Sequence, residues 1–214
     1  MDEPQPPRPA RIGPPAREEF EAAYVGSPPP WDIGRPQPAV VALADQGRLT
    51  GRVLDSGCGT GEHTLLAARL GHTSVGVDVA PTAIALAEAK LARAGDLPAT
   101  FRVGDVRDLP GLSLGRFDTV LDSGVFHVFL DPDRPAYVAS LHAVLNPGAH
   151  LLLLCFSENE PGDWGPRRVT RADLRAAFAT GWTVESITAN AFDVRRPVDA
   201  SPRAQAWLAD IRRD

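Results

Sequence analysis

From Gly51 onward the apolar positions switch between two periods. Short β-type runs, RVLD at 52–55, SVGVD at 74–78, ATFRVGD at 99–105, FDTVLD at 117–122 and HLLLLCF at 150–156, predict strands. Between them, apolar residues at three- and four-residue steps predict helices near 61–70, 82–94 and 132–145. Ile84, Ala87 and Leu91 share one helical face, as do Val138, Leu141 and Leu145, so one side of each helix packs on a sheet. Strands alternating with crossover helices predict an α/β fold with a mostly parallel sheet. The LLLL run at 151–154 has no polar alternation and reads as a central strand buried on both faces.

Helix ends have their own chemistry. Pro81 and Pro132 sit where a first helical residue needs no N–H, with Asp131 as the N-cap of the second helix, and NPG at 146–148 closes it. Thr170 and Asp173 form a capping-box pattern for a helix through Phe178. WTVESIT at 182–188 alternates as a strand, an antiparallel strand near 191–195 finishes the sheet, and SPRAQAWLADIRR at 201–213 reads as a closing helix.

Length and composition narrow the picture. A chain of 214 residues and 22.8 kDa fits one domain. Residues 1–17, rich in Pro, Arg and Ala, bury almost nothing and are expected to be disordered, leaving a single domain over 18–214. A net charge of −5 with no Lys/Arg run argues against nucleic acid as a partner. No signal-type apolar region or membrane-length run is present, which predicts a soluble, cytoplasmic protein with no membrane partner. Cys58 and Cys155 are far apart and outside any Cys/His cluster, so neither a disulfide framework nor a metal site is expected.

The chemistry concentrates in VLDSGCGTGEHT, 53–64, where a strand ending in Asp55 runs into Gly57, Cys58, Gly59 and Gly61 and then a helix. Glycines permit a tight turn and close approach of a ligand, and the helix start offers free N–H groups. Asp78, at the end of the next strand and 21 residues after Gly57, stands where an acid takes ribose hydroxyls, with Val79 beside it. Asp105, followed by Val106, ends the third strand, and Asp122 the fourth, so four aspartates gather at the carboxyl edge. A dinucleotide fingerprint has its third glycine one residue later, and Asp55 would repel a pyrophosphate, which counts against an NAD-type oxidoreductase. A cofactor with a cationic head suits these carboxylates. S-adenosylmethionine is such a cofactor.

D-x-G-C-G-T-G resembles motif I of the class I S-adenosylmethionine-dependent methyltransferases, and GVD, GD and FDTVLD fall at the spacing of that family's later motifs. The resemblance covers about 50–190. It implies a Rossmann-like seven-stranded sheet with an antiparallel last strand and helices on both faces. It also implies that Asp55 and the 57–61 loop hold the methionine end, Asp78 the ribose, and Asp105 with Val106 the adenine edge.

PWDIGRPQPAV ahead of the loop and FDTVLDSGVFHVFLDPDRPAY after it are similar to the thiopurine S-methyltransferases and bacterial heterocyclic toxin methyltransferases. That resemblance implies an N-terminal lid over about 18–45, Trp31 over the sulfonium, Gln37 or Pro38 beside the acceptor, and Arg134 near the active site. An aromatic face beside a sulfonium gains cation–π energy. His127, on the loop after the fourth strand, is a candidate base or a structural histidine. Arg134 would favour an anionic acceptor if buried. Trp31, Phe126, Phe129 and Trp164 suggest a flat apolar acceptor, with Arg167 and Arg168 as pocket closers or solvated loop residues. The expected function is methyl transfer to a sulfur, oxygen or nitrogen atom of a small aromatic or heterocyclic molecule. The rival is a module that binds the cofactor and methylates nothing.

Overall fold

The computed structural model describes residues 17–195, 201 and 203–214. The expected lead-in therefore lies, up to residue 16, outside the described residues, and Arg17 opens the first helix. In chain order the elements are α1 (Arg17–Ala23), α2 (Pro38–Asp45), β1 (Val53–Ser56), α3 (Glu62–Arg69), β2 (Ser74–Asp78), α4 (Pro81–Ala94), β3 (Ala99–Val103) and β4 (Phe117–Ser123). They continue with α5 (Arg134–Val144), β5 (Leu145–Phe156), α6 (Arg171–Ala177), β6 (Trp182–Asp193) and β7 (Arg203–Arg213).

Among the described residues seven strands form one sheet in the order β3-β2-β1-β4-β5-β7-β6. Pairings from β3 across to β5 are parallel, and β7 runs antiparallel to β5 and β6. The chain leaves β1 toward β2 and β3, then returns to build β4 on the other side. The order thus reverses between β1 and β4, where an open α/β sheet has its ligand crevice. Asp55 pairs with Gly76 on one side and Leu121 on the other, and Ser56 with Asp122, so the carboxyl ends of β1, β2 and β4 finish level.

Leu151 to Phe156 are buried without a break, as the apolar run requires of a strand covered on both faces. Leu54, Phe117, Tyr137, Leu141 and Leu153 lie in one core on the α5 face of the sheet. Val40, Leu43, Leu121 and Leu152 pack on the other face under α2. The capping box at Thr170 and Asp173 is present in both directions.

Three expected elements differ. Of the segment expected as a closing helix, Arg203–Arg213 is a strand and Pro202 lies outside the described residues: β7 lies between β5 and β6, and two ladders of backbone hydrogen bonds outweigh the helix preference of Ala, Gln, Leu and Arg. The antiparallel strand is therefore this one, while 191–193 completes β6. Helix α5 starts at Arg134 with Asp133 as N-cap, two residues later than Asp131 and Pro132 suggested, and NPG opens β5.

Candidate cofactor and acceptor site

The glycine loop links β1 to α3 and turns back through left-handed backbone at Gly57 and Gly59, with φ of 71° and 52°. A Cβ on Gly57 would fall 2.2 Å from Val125 Cγ2, so a side chain there would collide with the loop after β4. Asp55 is 1% exposed beneath the loop. Its Oδ2 accepts the Thr64 N–H at 3.0 Å and the Thr64 hydroxyl at 2.8 Å, fastening the start of α3. Its Oδ1 is buried and has no hydrogen-bond partner among the described residues. His63 Nδ1 stands 3.8 Å from that oxygen, and His63 Nε2 accepts the Gln37 N–H at 3.0 Å.

Asp78 ends β2, where Oδ2 accepts the Gly59 N–H at 2.8 Å and Oδ1 the Ala80 N–H at 2.9 Å. Burial, and secondarily the charge of Asp55, push its pKa up against these bonds. Each carboxylate oxygen retains a lone pair for a further donor. Cys58 is buried with its thiol pKa raised by burial, and its side chain joins a cluster with Leu65, Ile84 and Phe101, so it offers the loop only its backbone.

Asp105 begins a 3-10 turn over Val106–Asp108, with Val106 buried. Partial burial pushes its pKa up, but bonds from the Arg107 side chain and backbone outweigh this and hold the carboxyl below the usual range. Asp122 faces inward. Its Oδ1 accepts the Val125 N–H at 2.8 Å, and its Oδ2 accepts the Phe126 N–H at 3.0 Å and the Tyr137 hydroxyl at 2.9 Å. It shapes the loop after β4, and burial lifts its pKa to about 7. With these internal donors it is poorly placed for the cofactor contact expected of it.

The Pro-rich stretch is fastened over the loop. Thr60 Oγ1 donates to Asp32 Oδ2 at 3.0 Å, and Arg195 N–H donates to the Pro30 carbonyl at 2.7 Å. Gln37 exchanges two hydrogen bonds with the Asp193 backbone, at 2.9 and 2.8 Å, tying the start of α2 to the end of β6. Upstream, Glu21 accepts the Thr82 N–H at 3.0 Å and caps α4 from outside, which moors α1. Trp31 remains 43% exposed and donates its indole N–H to Tyr24 at 2.9 Å. Tyr24 is the arm side chain nearest Gly59: a Cβ there would lie 2.9 Å from its oxygen. Sequence reasoning gave Tyr24 and Asp32 no role of their own within the expected lid, because no one-dimensional pattern pairs them with particular residues of the glycine loop, as Asp32 is paired with Thr60 across 28 residues.

His127 is buried; its Nδ1 accepts the Phe156 N–H at 3.0 Å, and burial brings its pKa down to about 3. The imidazole is thus neutral and engaged, an arrangement that favours the structural alternative over the base. Arg134 is 5% exposed, with its guanidinium 4.5 Å from the centroid of Phe126. Its Nη1 reaches Asp131 Oδ1 at 3.2 Å, an oxygen shared with Arg167 at 2.6 Å, while Nε and Nη2 are buried and have no hydrogen-bond partner among the described residues.

The four aromatics expected to line one pocket do not converge. Phe126 and Phe129 belong to the core, Trp164 packs edge-on to Phe156, and Trp31 sits on the arm. Arg168 donates to the carbonyls of Glu160, Trp164 and Pro166 and so folds the loop after β5. A groove of about 650 Å³ between α5 and α6 is lined in part by Asp131, Arg134, Val138, His142 and Trp182, with Arg134 at its wall and no residue of the glycine loop in it.

The residues fit a nucleoside carrying a cationic group. Asp55 supplies a buried oxygen that has no hydrogen-bond partner among the described residues, Asp78 supplies spare acceptors at the level of the glycine turn, and Asp32 adds a third negative charge from the arm. Such a set attracts a cation and repels a pyrophosphate.

A family profile described as "Methyltransferase domain" matches residues 53–148. The chain is 39% identical over 181 residues to 2-heptyl-1-hydroxyquinolin-4(1H)-one methyltransferase of Mycobacteroides abscessus, covering 80% of this chain and 79% of that protein. A solved structure from work on conversion of a disulfide bond into a thioacetal group during echinomycin biosynthesis is 40% identical. It aligns with a TM-score of 0.83 over 93% of each chain. A SAM-dependent methyltransferase of Anabaena variabilis, 16% identical, has the same fold, with a TM-score of 0.78 over 94% of this chain and 97% of that one.

Proposed function

The chain belongs to the S-adenosylmethionine-dependent methyltransferases, and on that footing we propose that it methylates an ionised oxygen or sulfur atom of a small heterocyclic acceptor seated against Arg134. The relative from Mycobacteroides abscessus is named for an N-hydroxyquinolone, whose oxygen is acidic, and the echinomycin-related structure concerns sulfur chemistry. The single observation that carries the reading is the buried Arg134 guanidinium over Phe126, with Nε and Nη2 unpartnered among the described residues. A buried cation with spare donors is stabilised by an anion.

The cofactor supplies an activated methyl group. The chain's residues bind and orient: Asp78 takes the ribose hydroxyls, the turn at Gly57–Gly61 lets the backbone approach, Asp55 keeps the loop negative, and Val79, Val106 and Asp105 border the base. An acceptor that is already anionic needs no proton removed, which agrees with a neutral, engaged His127. Positioning then contributes most of the rate.

Methyl transfer to a panel of N-hydroxyquinolones, aromatic thiols and their neutral analogues tests this. The parent should methylate ionised members preferentially, and Arg134→Leu should raise KM for those about tenfold or more, the scale of a lost charge-assisted hydrogen bond, while sparing neutral ones. Equal effects on both classes would refute the role of Arg134.

A further inference from the structure

Tyr24 lies just beyond α1 and is buried. Its ring is held from behind: Trp31 donates its indole N–H to the Tyr24 oxygen at 2.9 Å and meets the phenol edge-on, with centroids 6.2 Å apart. The front of the phenol faces the glycine loop, since a Cβ on Gly59 would come within 2.9 Å of its oxygen. The amide of the same glycine donates to Asp78 Oδ2 at 2.8 Å. The hydroxyl therefore stands above the turn on the side of the ribose acid.

A phenol carries one donor and two acceptor positions. Trp31 occupies one acceptor position, and among the described residues no acceptor takes the proton. Burial first, then the charge of Asp78, push the pKa of Tyr24 up, so the proton stays on oxygen.

Resting on the methyltransferase reading, we infer that Tyr24 is a cofactor-positioning residue that donates its O–H to a ribose oxygen of the adenosyl group, opposite Asp78. Charge selects the ribose over the cofactor's carboxylate. Asp78 and Asp32 both act on the phenol, and a third carboxylate beside them would be repelled. An uncharged diol can donate to Asp78 and accept from Tyr24 in the same place. Trp31 acts through Tyr24, fixing the phenol so that its remaining donor points at the ligand.

Calorimetric titration of parent and Tyr24→Phe with S-adenosylhomocysteine and with 5′-methylthioadenosine, which lacks the amino-acid end, tests the assignment. Loss of one neutral hydrogen bond should weaken both ligands by a similar factor, about fivefold to tenfold, with the thermal midpoint of the variant unchanged. Unchanged affinity for both ligands would overturn it, and so would a loss confined to S-adenosylhomocysteine, which would move the contact to the carboxylate. A parent that binds neither ligand would overturn the cofactor-site reading and this inference with it.

Discussion

The indole N–H of Trp31 is bound to the Tyr24 hydroxyl at 2.9 Å, and that hydroxyl stands over Gly59. The arm is therefore built into the glycine loop from two sides, because Asp32, next in sequence to Trp31, receives the Thr60 hydroxyl at 3.0 Å. Beyond it, Arg35 pairs with Asp193 at 2.6 Å.

A segment fastened by a few polar bonds over a ligand site opens locally at low cost and is protected when the site is filled. Amides of Trp31, Asp32, Gly34 and Arg35 should exchange at least about tenfold more slowly with S-adenosylhomocysteine bound. Exchange that ignores the ligand would reduce the stretch to a linker.

Two buried groups make opposing contributions to acid stability. The folded pKa of Asp122 is raised to about 7, above its unfolded value near 4. Its stabilising contribution is present below about pH 4 and is lost as pH rises through 7. His127 is lowered to about 3 from an unfolded value near 6.5, so its contribution is present above pH 6.5 and is lost as pH falls toward 3. Between about pH 4 and 6.5 the two slopes cancel in large part. Thermal midpoints against pH should show it: Asp122→Asn steepens the acid loss, whereas His127→Gln makes the protein gain stability on acidification from pH 7 to 5. A His127→Gln curve parallel to that of the parent would contradict the assignment. The same variant should keep methyl transfer to ionised acceptors within about threefold, since a general base typically supplies a hundredfold or more.

Much of this architecture could be read from one dimension, for identifiable reasons. Asp78 ends β2, Asp55 and Asp122 stand one residue before the ends of β1 and β4, and glycines at alternate positions admit few backbone paths, so Asp55, Asp78 and the 57–61 turn fall where local pattern puts them. Capping at Thr170 and Asp173 is equally local. Apart from the start of α5, a local boundary two residues later than Asp131 and Pro132 suggested, the failures are long-range. Residues 203–213 favour a helix by composition, and only the open edges of β5 and β6 make them a strand. Asp122 stands one residue before the end of β4, much as Asp78 ends β2, yet it faces inward and accepts the hydroxyl of Tyr137, 15 residues on. Tyr24 carries no motif at all; its role depends on the fold that brings α1 to the start of α4.

The central claim is that the carboxyl edge between β1 and β2 holds S-adenosylmethionine through Asp78. Calorimetric titration of S-adenosylhomocysteine into parent and Asp78→Ala at matched thermal midpoints measures it most directly. Two hydrogen bonds to a charged acceptor contribute about 1.5 to 3 kcal/mol each, so the variant should bind at least about a hundredfold more weakly while remaining folded. A folded Asp78→Ala variant that binds S-adenosylhomocysteine as tightly as the parent would contradict the account.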